Sequence, residues 1–207
     1  MSRNASGALQ KALDVLKPLS ESKQYPDLIK HEKDHPFTEC ATFADDIKGE
    51  GMTWQASWHF INQPYYDQGG SAEDYPDFKP PSQKIDDALD ALTRFLKGDS
   101  SAEETEFLKV IKENFSDVQD QKAFALRLVI HYIGDIHQPL HVVAEVDSNH
   151  PRGDKGGNDE KVPDTSGDGV DNLHAIWDSV IYDYPGYVKL VSVLHMCSAL
   201  DLKAAKP

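Results

Sequence analysis

Apolar residues recur at helical spacing along much of the chain. The clearest case is the segment 83–97, where a single apolar stripe is formed by Ile85, Leu89, Leu92 and Leu96. In the segment 7–18, which we expect to end near Pro18, the residues predicted to face inward are Leu9, Leu13, Val15 and Leu16. Further helices are predicted over 38–48, after Ser101 and from about Asn172.

The segment from Phe124 to His141 carries polar residues inside an apolar helical run. His131 and Asp135 are four positions apart, so they lie on one face of the predicted helix, and Pro139 is expected to stop that helix before His141. An imidazole and a carboxylate that face a core are costly unless a partner satisfies them. A metal ion is one such partner.

The same spacing recurs at His174 and Asp178. One core-facing His–Asp pair is more often a structural hydrogen bond than a ligand set. Two such pairs in one chain favour metal binding. Nitrogen and carboxylate oxygen without thiolate suit catalytic zinc. The candidate ligands are Asp45, His59, His131, Asp135, His141, His174 and Asp178. These exceed the needs of one tetrahedral ion, and Asp135 is placed to bridge two ions.

The remaining segments show no strand periodicity. Residues 67–82 and about 144–170 are rich in Gly and Asp and are expected to be loops, while the aromatic segment 52–66 has no assignable secondary structure. Because every periodic segment is helical, we expect an all-α fold in one domain over residues 1–207.

Composition limits the partners of the chain. The 207 residues carry a formal net charge of −14, so an acidic surface would repel phosphate backbones unless bound cations offset it. The N-terminus lacks the apolar core of a signal peptide, and no apolar run reaches membrane-spanning length. The spacing of Cys40 and Cys197 leaves open whether they pair or remain buried thiols.

Five motifs in order, from about residue 38 to 182, resemble the zinc-dependent class I nucleases. They are ATFADDIK, ASWHFIN, VIHYIGDIHQPLH, GDKGGN and NLHAIWD. This family contains fungal single-strand nucleases, plant bifunctional nucleases and trypanosomatid 3′-nucleotidases. The resemblance implies a mainly helical fold, with long loops, related to zinc phospholipase C. GDKGGN is expected to form a turn-rich lid near the second zinc.

The resemblance also implies the roles of individual residues. One zinc would be held by Asp45, His59, His131 and Asp135, and a second by His141, His174 and Asp178. Asp135 would in addition bridge to a third zinc. Catalytic roles fall to Asp45, Lys48 and Asp135, with Lys48 standing where the family has an arginine that faces the scissile phosphate.

Two residues of ASWHFIN are implied to bind substrate. Phe60 would stack on a nucleobase, and Asn62 stands where many members have a base-reading aspartate. Both Phe60 and Lys48 also have a purely structural explanation. Aromatic residues dominate protein cores, and a lysine at a helix C-terminus interacts favourably with the helix dipole.

The ends of the chain depart from the family pattern. Family members begin with a tryptophan that, with a nearby histidine, ligates the third zinc, but residues 1–30 contain neither residue type. We therefore expect an incomplete third site and a chain that lacks N- and C-terminal parts of the family domain.

These features together predict a zinc-dependent endonuclease and 3′-nucleotidase. Its substrate would be single-stranded RNA and DNA, its products 5′-nucleotides, and its location secreted or vesicular by resemblance, with no membrane or obligate protein partner. The alternatives are a phospholipase C-like phosphodiesterase and a catalytically impaired zinc-binding fragment.

Overall fold

The long helix that carries His131 and Asp135 lies at the centre of the fold. The computed structural model describes residues 2–22, 25–163 and 170–183. Its elements are α1 Ser2–Glu21, α2 Pro36–Glu39, α3 Phe43–Gly49, β1 Gln63–Tyr65, α4 Ile85–Leu96, α5 Glu106–Asn114, α6 Val118–Asp135, α7 Pro139–Val142, β2 Val143–Glu145 and α8 Leu173–Asp183. Short 3₁₀ helices cover Cys40–Thr42, Thr53–His59 and Ser100–Glu104. The prediction of a mainly helical fold is confirmed.

Helix α6 is buried on several sides because other helices pack around it. Helices α1, α3 and α4 all contact it. Asp117 caps its first turn by accepting hydrogen bonds from the backbone N–H groups of Gln119 and Asp120. Phe124 in α6 meets Phe43 of α3 edge to face, with ring centroids 5.4 Å apart, which packs the start of α3 against α6.

Helix α4 follows the sequence prediction. It begins at Ile85 and ends at Leu96, and its buried stripe consists of Ile85, Ala88, Ala91, Leu92 and Phe95. Leu89 and Leu96 are partly buried and pack at the edge of this core. Apolar periodicity was sufficient to predict this helix because α4 buries only one face, which packs against α6 and its neighbours.

In two helices the proline that was predicted to stop the helix does not do so. Helix α1 continues through Pro18 to Glu21, because Leu19 is fully buried and anchors the last turn. The missing N–H of Pro18 removes only one hydrogen bond there. Helix α6 ends at Asp135, and Pro139 instead occupies the first turn of α7. Proline is tolerated there because that N–H would lack an intrahelical partner anyway.

Other sequence expectations are corrected by the packing. The segment 38–48 is not one helix but parts of α2, a 3₁₀ helix and α3. Leu9, predicted to face inward, is 46% exposed.

The aromatic segment that sequence periodicity could not assign forms a 3₁₀ helix and β1. Strand β1 pairs in parallel with β2, with Gln63 opposite Val143 and Tyr65 opposite Glu145. Among the described residues, no helix is long and apolar enough to cross a membrane. Cys40 is buried, and Cys197 lies outside the described residues.

A buried arginine joins α1 to α6. Arg127 is fully buried, and its guanidinium donates to both carboxylate oxygens of Glu32 at 2.6 and 2.7 Å. The other N–H groups donate to Leu16 O, Ala123 O and the Ser20 hydroxyl, so all five donors are satisfied. Such a pair costs desolvation energy but is strongly destabilising to break, because one partner would remain as a buried charge.

We expect Arg127→Met to lower the free energy of unfolding by about 3–5 kcal/mol, since it leaves Glu32 without its partner. Arg94→Met is the matched control, because Arg94 pairs with Asp90 and Asp99 on the surface, where solvent and salt screen ion pairs and their contribution to stability is small. Denaturant unfolding measures both changes. Equal losses in the two variants would contradict a special role for the buried pair.

Candidate metal centre

A cleft of about 520 Å³ opens where α3, α6, α7 and α8 approach one another. All seven predicted metal ligands line it, together with Lys48 and Phe60. The other described lining residues are Ala41, Thr42, Gly134, Gln138 and Asn158. The structure therefore brings together residues that are up to 133 positions apart in the chain, from Asp45 to Asp178.

Three of these residues form what we call the first group: Asp45, His59 and His131, whose potential ligand atoms all lie within 4.8 Å of one another. Asp45 comes from α3, His59 from the end of the 3₁₀ helix and His131 from α6. An oxygen of Asp45 lies 3.9 Å from His59 Nδ1, and its other oxygen lies 3.7 Å from His131 Nε2.

A second group consists of His141, His174 and Asp178, again with ligand atoms within 4.8 Å of one another. His174 Nε2 lies 3.4 Å from Asp178 Oδ2, as expected for residues four apart on α8. The rings of His141 and His174 are stacked, with centroids 5.0 Å apart.

Asp135 lies between the two groups. Its Oδ2 is 2.7 Å from His59 Nδ1, 3.1 Å from His131 Nε2 and 3.7 Å from His141 Nδ1. Burial alone would raise the pKa of Asp135, but the surrounding imidazoles outweigh burial and hold this pKa well below its usual range. The carboxylate is therefore ionised at neutral pH, with imidazoles of both groups around it.

The histidines of the cleft each use one ring nitrogen to hold the ring in place. In three of them Nδ1 lies within hydrogen-bond reach of a backbone carbonyl: Ala41 O at 2.6 Å for His131, His59 O at 2.9 Å for His141 and Gly156 O at 2.7 Å for His174. A carbonyl only accepts, so in the neutral rings Nδ1 carries the hydrogen and Nε2 keeps its lone pair. In His59 the roles are reversed, with Nε2 facing Gln55 Oε1 at 2.8 Å.

This arrangement fits a metal ion. His131 Nε2 is buried without a hydrogen-bond partner, although Asp135 Oδ2 lies nearby, because the contact lacks hydrogen-bonding geometry. A buried lone pair that meets no donor is destabilising in a protein interior and is satisfied by a cation. Histidines that bind metals commonly donate their other N–H to a carbonyl or carboxylate, as these do.

The ring environments also shift protonation. Burial lowers the pKa of His59 and of His141, and the nearby Asp135 only partly opposes this effect. For His131, burial is outweighed by Asp135 and Asp45, so its pKa is raised. Asp45 accepts a hydrogen bond from Lys48 Nζ at 2.7 Å, which holds this ammonium at the edge of the first group.

The strand pair explains why His59 and His141 meet. Residues just after His59 enter β1, and residues just after His141 enter β2. The backbone N–H of Ile61 donates to His141 O at 2.8 Å, which continues the parallel pairing toward the cleft. The two strands therefore join the first group to the second.

The GDKGGN segment, expected near the second zinc, supports the second group. The buried carboxylate of Asp154 accepts hydrogen bonds from the N–H groups of Gly156 at 3.0 Å and Gly157 at 2.7 Å. Gly156 O then receives the hydrogen of His174 Nδ1. Gly156 has a φ of +63°, and a Cβ there would collide with Leu140 O, so only glycine fits.

Phe60 and Asn62 are placed differently. Phe60 is partly exposed in the cleft, and its ring centroid lies 4.7 Å from that of His141. Asn62, at a φ of +51°, is not among the described lining residues, and its buried Oδ1 has no hydrogen-bond partner. A base-reading role for Asn62 stays a prediction.

Sequence reasoning did not find three polar supports of the site: Gln55, Gln138 and Asp154. Gln138 donates from Nε2 to Asp178 Oδ1 at 2.9 Å and caps α7. The Asp–x–Gly–Gly pattern at Asp154 is a turn signal that marked the loop. Gln55 and Gln138 carry no comparable signal, because their roles depend on partners distant in the chain.

The sequence matches a known protein family. A family model described as S1/P1 Nuclease matches residues 12–200, beyond both ends of the segment that the motifs span. The chain belongs to the S1/P1 nuclease family. Neither a curated protein nor a solved structure matches it significantly. Membership in this family indicates a hydrolase that acts on nucleic acid, and the cleft described above supplies candidate metal-binding groups for it.

Because Gly156 must adopt a positive φ beside Leu140, we expect Gly156→Ala to lower the free energy of unfolding by more than about 1 kcal/mol. Gly134→Ala is the control, since a Cβ at Gly134 in α6 meets nothing within 4 Å and alanine favours helix by about 0.5–1 kcal/mol. Denaturant unfolding compares the two. A neutral Gly156→Ala would contradict the close packing of the loop under His174.

Proposed function

We propose that this member of the S1/P1 nuclease family is a zinc-dependent endonuclease and 3′-nucleotidase. It hydrolyses phosphodiester bonds of single-stranded RNA and DNA and releases 5′-nucleotides. One observation carries the proposal: four imidazoles and three carboxylates converge on one cleft, and the lone pair of His131 Nε2 is buried there without a donor.

The donor set favours zinc over magnesium and calcium. Histidine nitrogen with carboxylate oxygen suits zinc, whereas magnesium and calcium prefer oxygen alone. The first group with Asp135 offers four ligands, and the second group offers three. A second group with three protein ligands leaves a position for water or substrate, as in catalytic zinc sites. A third zinc site and its incompleteness stay predictions.

Bound zinc would supply Lewis acidity toward the phosphoryl oxygens and a water of lowered pKa. The residues of the chain fix the geometry around that chemistry. Asp135 holds its charge between the two groups, and backbone carbonyls lock the rings of His131, His141 and His174. Preorganised donors and charges of this kind avoid reorganisation during the reaction.

Lys48 is suited to the scissile phosphate. Of the described residues that line the cleft, it is the one lysine or arginine. Its contact with Asp45 places the ammonium beside the first group, where it can neutralise charge that grows on a phosphoryl oxygen. A lysine provides this charge without the bidentate geometry of an arginine.

The partly exposed ring of Phe60 supports a preference for single strands. A base that stacks on Phe60 must leave its own stack, and stacking on an aromatic side chain contributes about 1–3 kcal/mol per base. With a net charge of −14, the protein as a whole repels a polyanion, and cations bound in this cleft would offset that repulsion. The family resemblance favours a secreted or vesicular location for this activity.

We expect Asp135→Asn to lose zinc and to lose hydrolysis of single-stranded DNA. Removing an outer hydrogen-bond partner of a ligand weakens metal binding by about 10- to 100-fold, and removing a bridging charge weakens it more. Elemental analysis of the dialysed protein measures zinc, and release of acid-soluble nucleotides measures activity.

Asp120→Asn is the matched control, because Asp120 belongs to the same helix but lies in its first turn, outside the cleft. It should keep both zinc and activity. If Asp135→Asn retained wild-type zinc content and rate, the proposed function would fall. Hydrolysis of a phospholipid in place of DNA by the wild type would instead favour the phospholipase-like alternative.

At saturating zinc, Lys48→Met should lower kcat on the order of 100-fold, because it removes charge from the transition state and no metal ligand. Lys30→Met is its control, since Lys30 pairs with Glu50 outside the cleft. Steady-state kinetics with a single-stranded oligonucleotide provide the measurement. An unchanged kcat in Lys48→Met would assign Lys48 to the helix end alone.

A further inference from the structure

Gln55 is a fully buried amide in the 3₁₀ helix that ends at His59. We propose that Gln55 is a positioning residue that fixes the hydrogen of His59 on Nε2 and thereby keeps Nδ1 free to bind metal. This inference rests on the proposed zinc centre, and it concerns a residue that contacts no substrate.

Two backbone carbonyls fix the orientation of the Gln55 amide. Its Nε2 donates to Ala44 O at 2.7 Å and to Met52 O at 3.3 Å. Because carbonyl oxygens only accept, the NH₂ group must face them. The Oε1 of Gln55 is therefore directed to the opposite side.

On that side, Gln55 Oε1 faces two groups that must donate to it. The hydroxyl of Tyr132 donates to it at 2.7 Å. His59 Nε2 lies 2.8 Å from the same oxygen. An amide oxygen cannot donate, so the hydrogen of a neutral His59 belongs on Nε2.

This tautomer brings two acceptor atoms face to face, and a cation between them would remove the repulsion. In neutral His59 the lone pair of Nδ1 then faces Asp135 Oδ2 at 2.7 Å, and both atoms are acceptors. A metal ion bound by both atoms converts this repulsion into attraction. Without Gln55, the hydrogen can move to Nδ1 and donate to Asp135, which would occupy both ligand atoms in one hydrogen bond.

The same side chain also joins the elements that carry the first group. Ala44 O precedes Asp45 in α3, His59 ends the 3₁₀ helix, and Tyr132 follows His131 in α6. The contacts of Gln55 thus hold the relative positions of three elements as well as one proton. Both effects act on metal binding before any substrate arrives.

The test compares Gln55→Leu with Gln121→Leu. Gln121 is a buried glutamine of α6 that donates to Phe115 O at 2.7 Å and does not line the cleft, so its variant also loses a buried hydrogen bond. Zinc affinity is measured on the full chain by competition with a chromophoric chelator. We expect Gln55→Leu to bind zinc about 10- to 100-fold more weakly than wild type, and Gln121→Leu to match wild type.

A second measurement needs no variant. Histidine-selective ¹⁵N spectra of the wild-type chain show which nitrogen of His59 carries hydrogen, both with zinc and without it at a pH where the ring is neutral. We expect hydrogen on Nε2 and none on Nδ1. Hydrogen on Nδ1, or equal zinc affinities for the two variants, would overturn the role of Gln55. A wild-type chain that binds no zinc would overturn the proposed function instead, and the metal-free spectrum would still decide the tautomer.

Discussion

The candidate site depends on how each imidazole divides its two nitrogens. One nitrogen of each ring is satisfied inside the protein, by a backbone carbonyl or by Gln55, and the other faces the cleft or its neighbours. Asp135 adds a partly buried negative charge within reach of three of these rings. Electrostatics therefore favours a cation at this point, and the rest of the fold holds the acceptors that set the ring orientations.

The two groups are supported by different parts of the chain. The first depends on helices that meet in the core, with α3 packed on α6 through Phe43 and Phe124. The second depends on a loop, because Asp154 orders the glycines that receive His174. Loops are generally less stable than core helices. We therefore expect the geometry of the second group to change more than that of the first when solution conditions change. The two groups are connected by the strand pair β1–β2 and by Asp135.

Much of this arrangement follows from local sequence periodicity. The spacing of four residues placed His131 with Asp135 and His174 with Asp178, because a helix sets that geometry by itself. Helix α4 was predictable for the same reason. The ends of α1 and α6 were not, since buried Leu19 and the new turn at Pro139 override the local effect of proline. Gln55 was missed because Ala44 O and the Tyr132 hydroxyl, which help to orient its amide, are distant in the chain.

The most direct test of the metal centre is anomalous X-ray scattering at the zinc edge from crystals of the zinc-loaded protein. Zinc binding at both groups predicts two peaks of anomalous density. One lies among Asp45, His59, His131 and Asp135, and the other lies among His141, His174 and Asp178. Absence of anomalous density from the cleft, or zinc bound only elsewhere on the surface, would contradict the account.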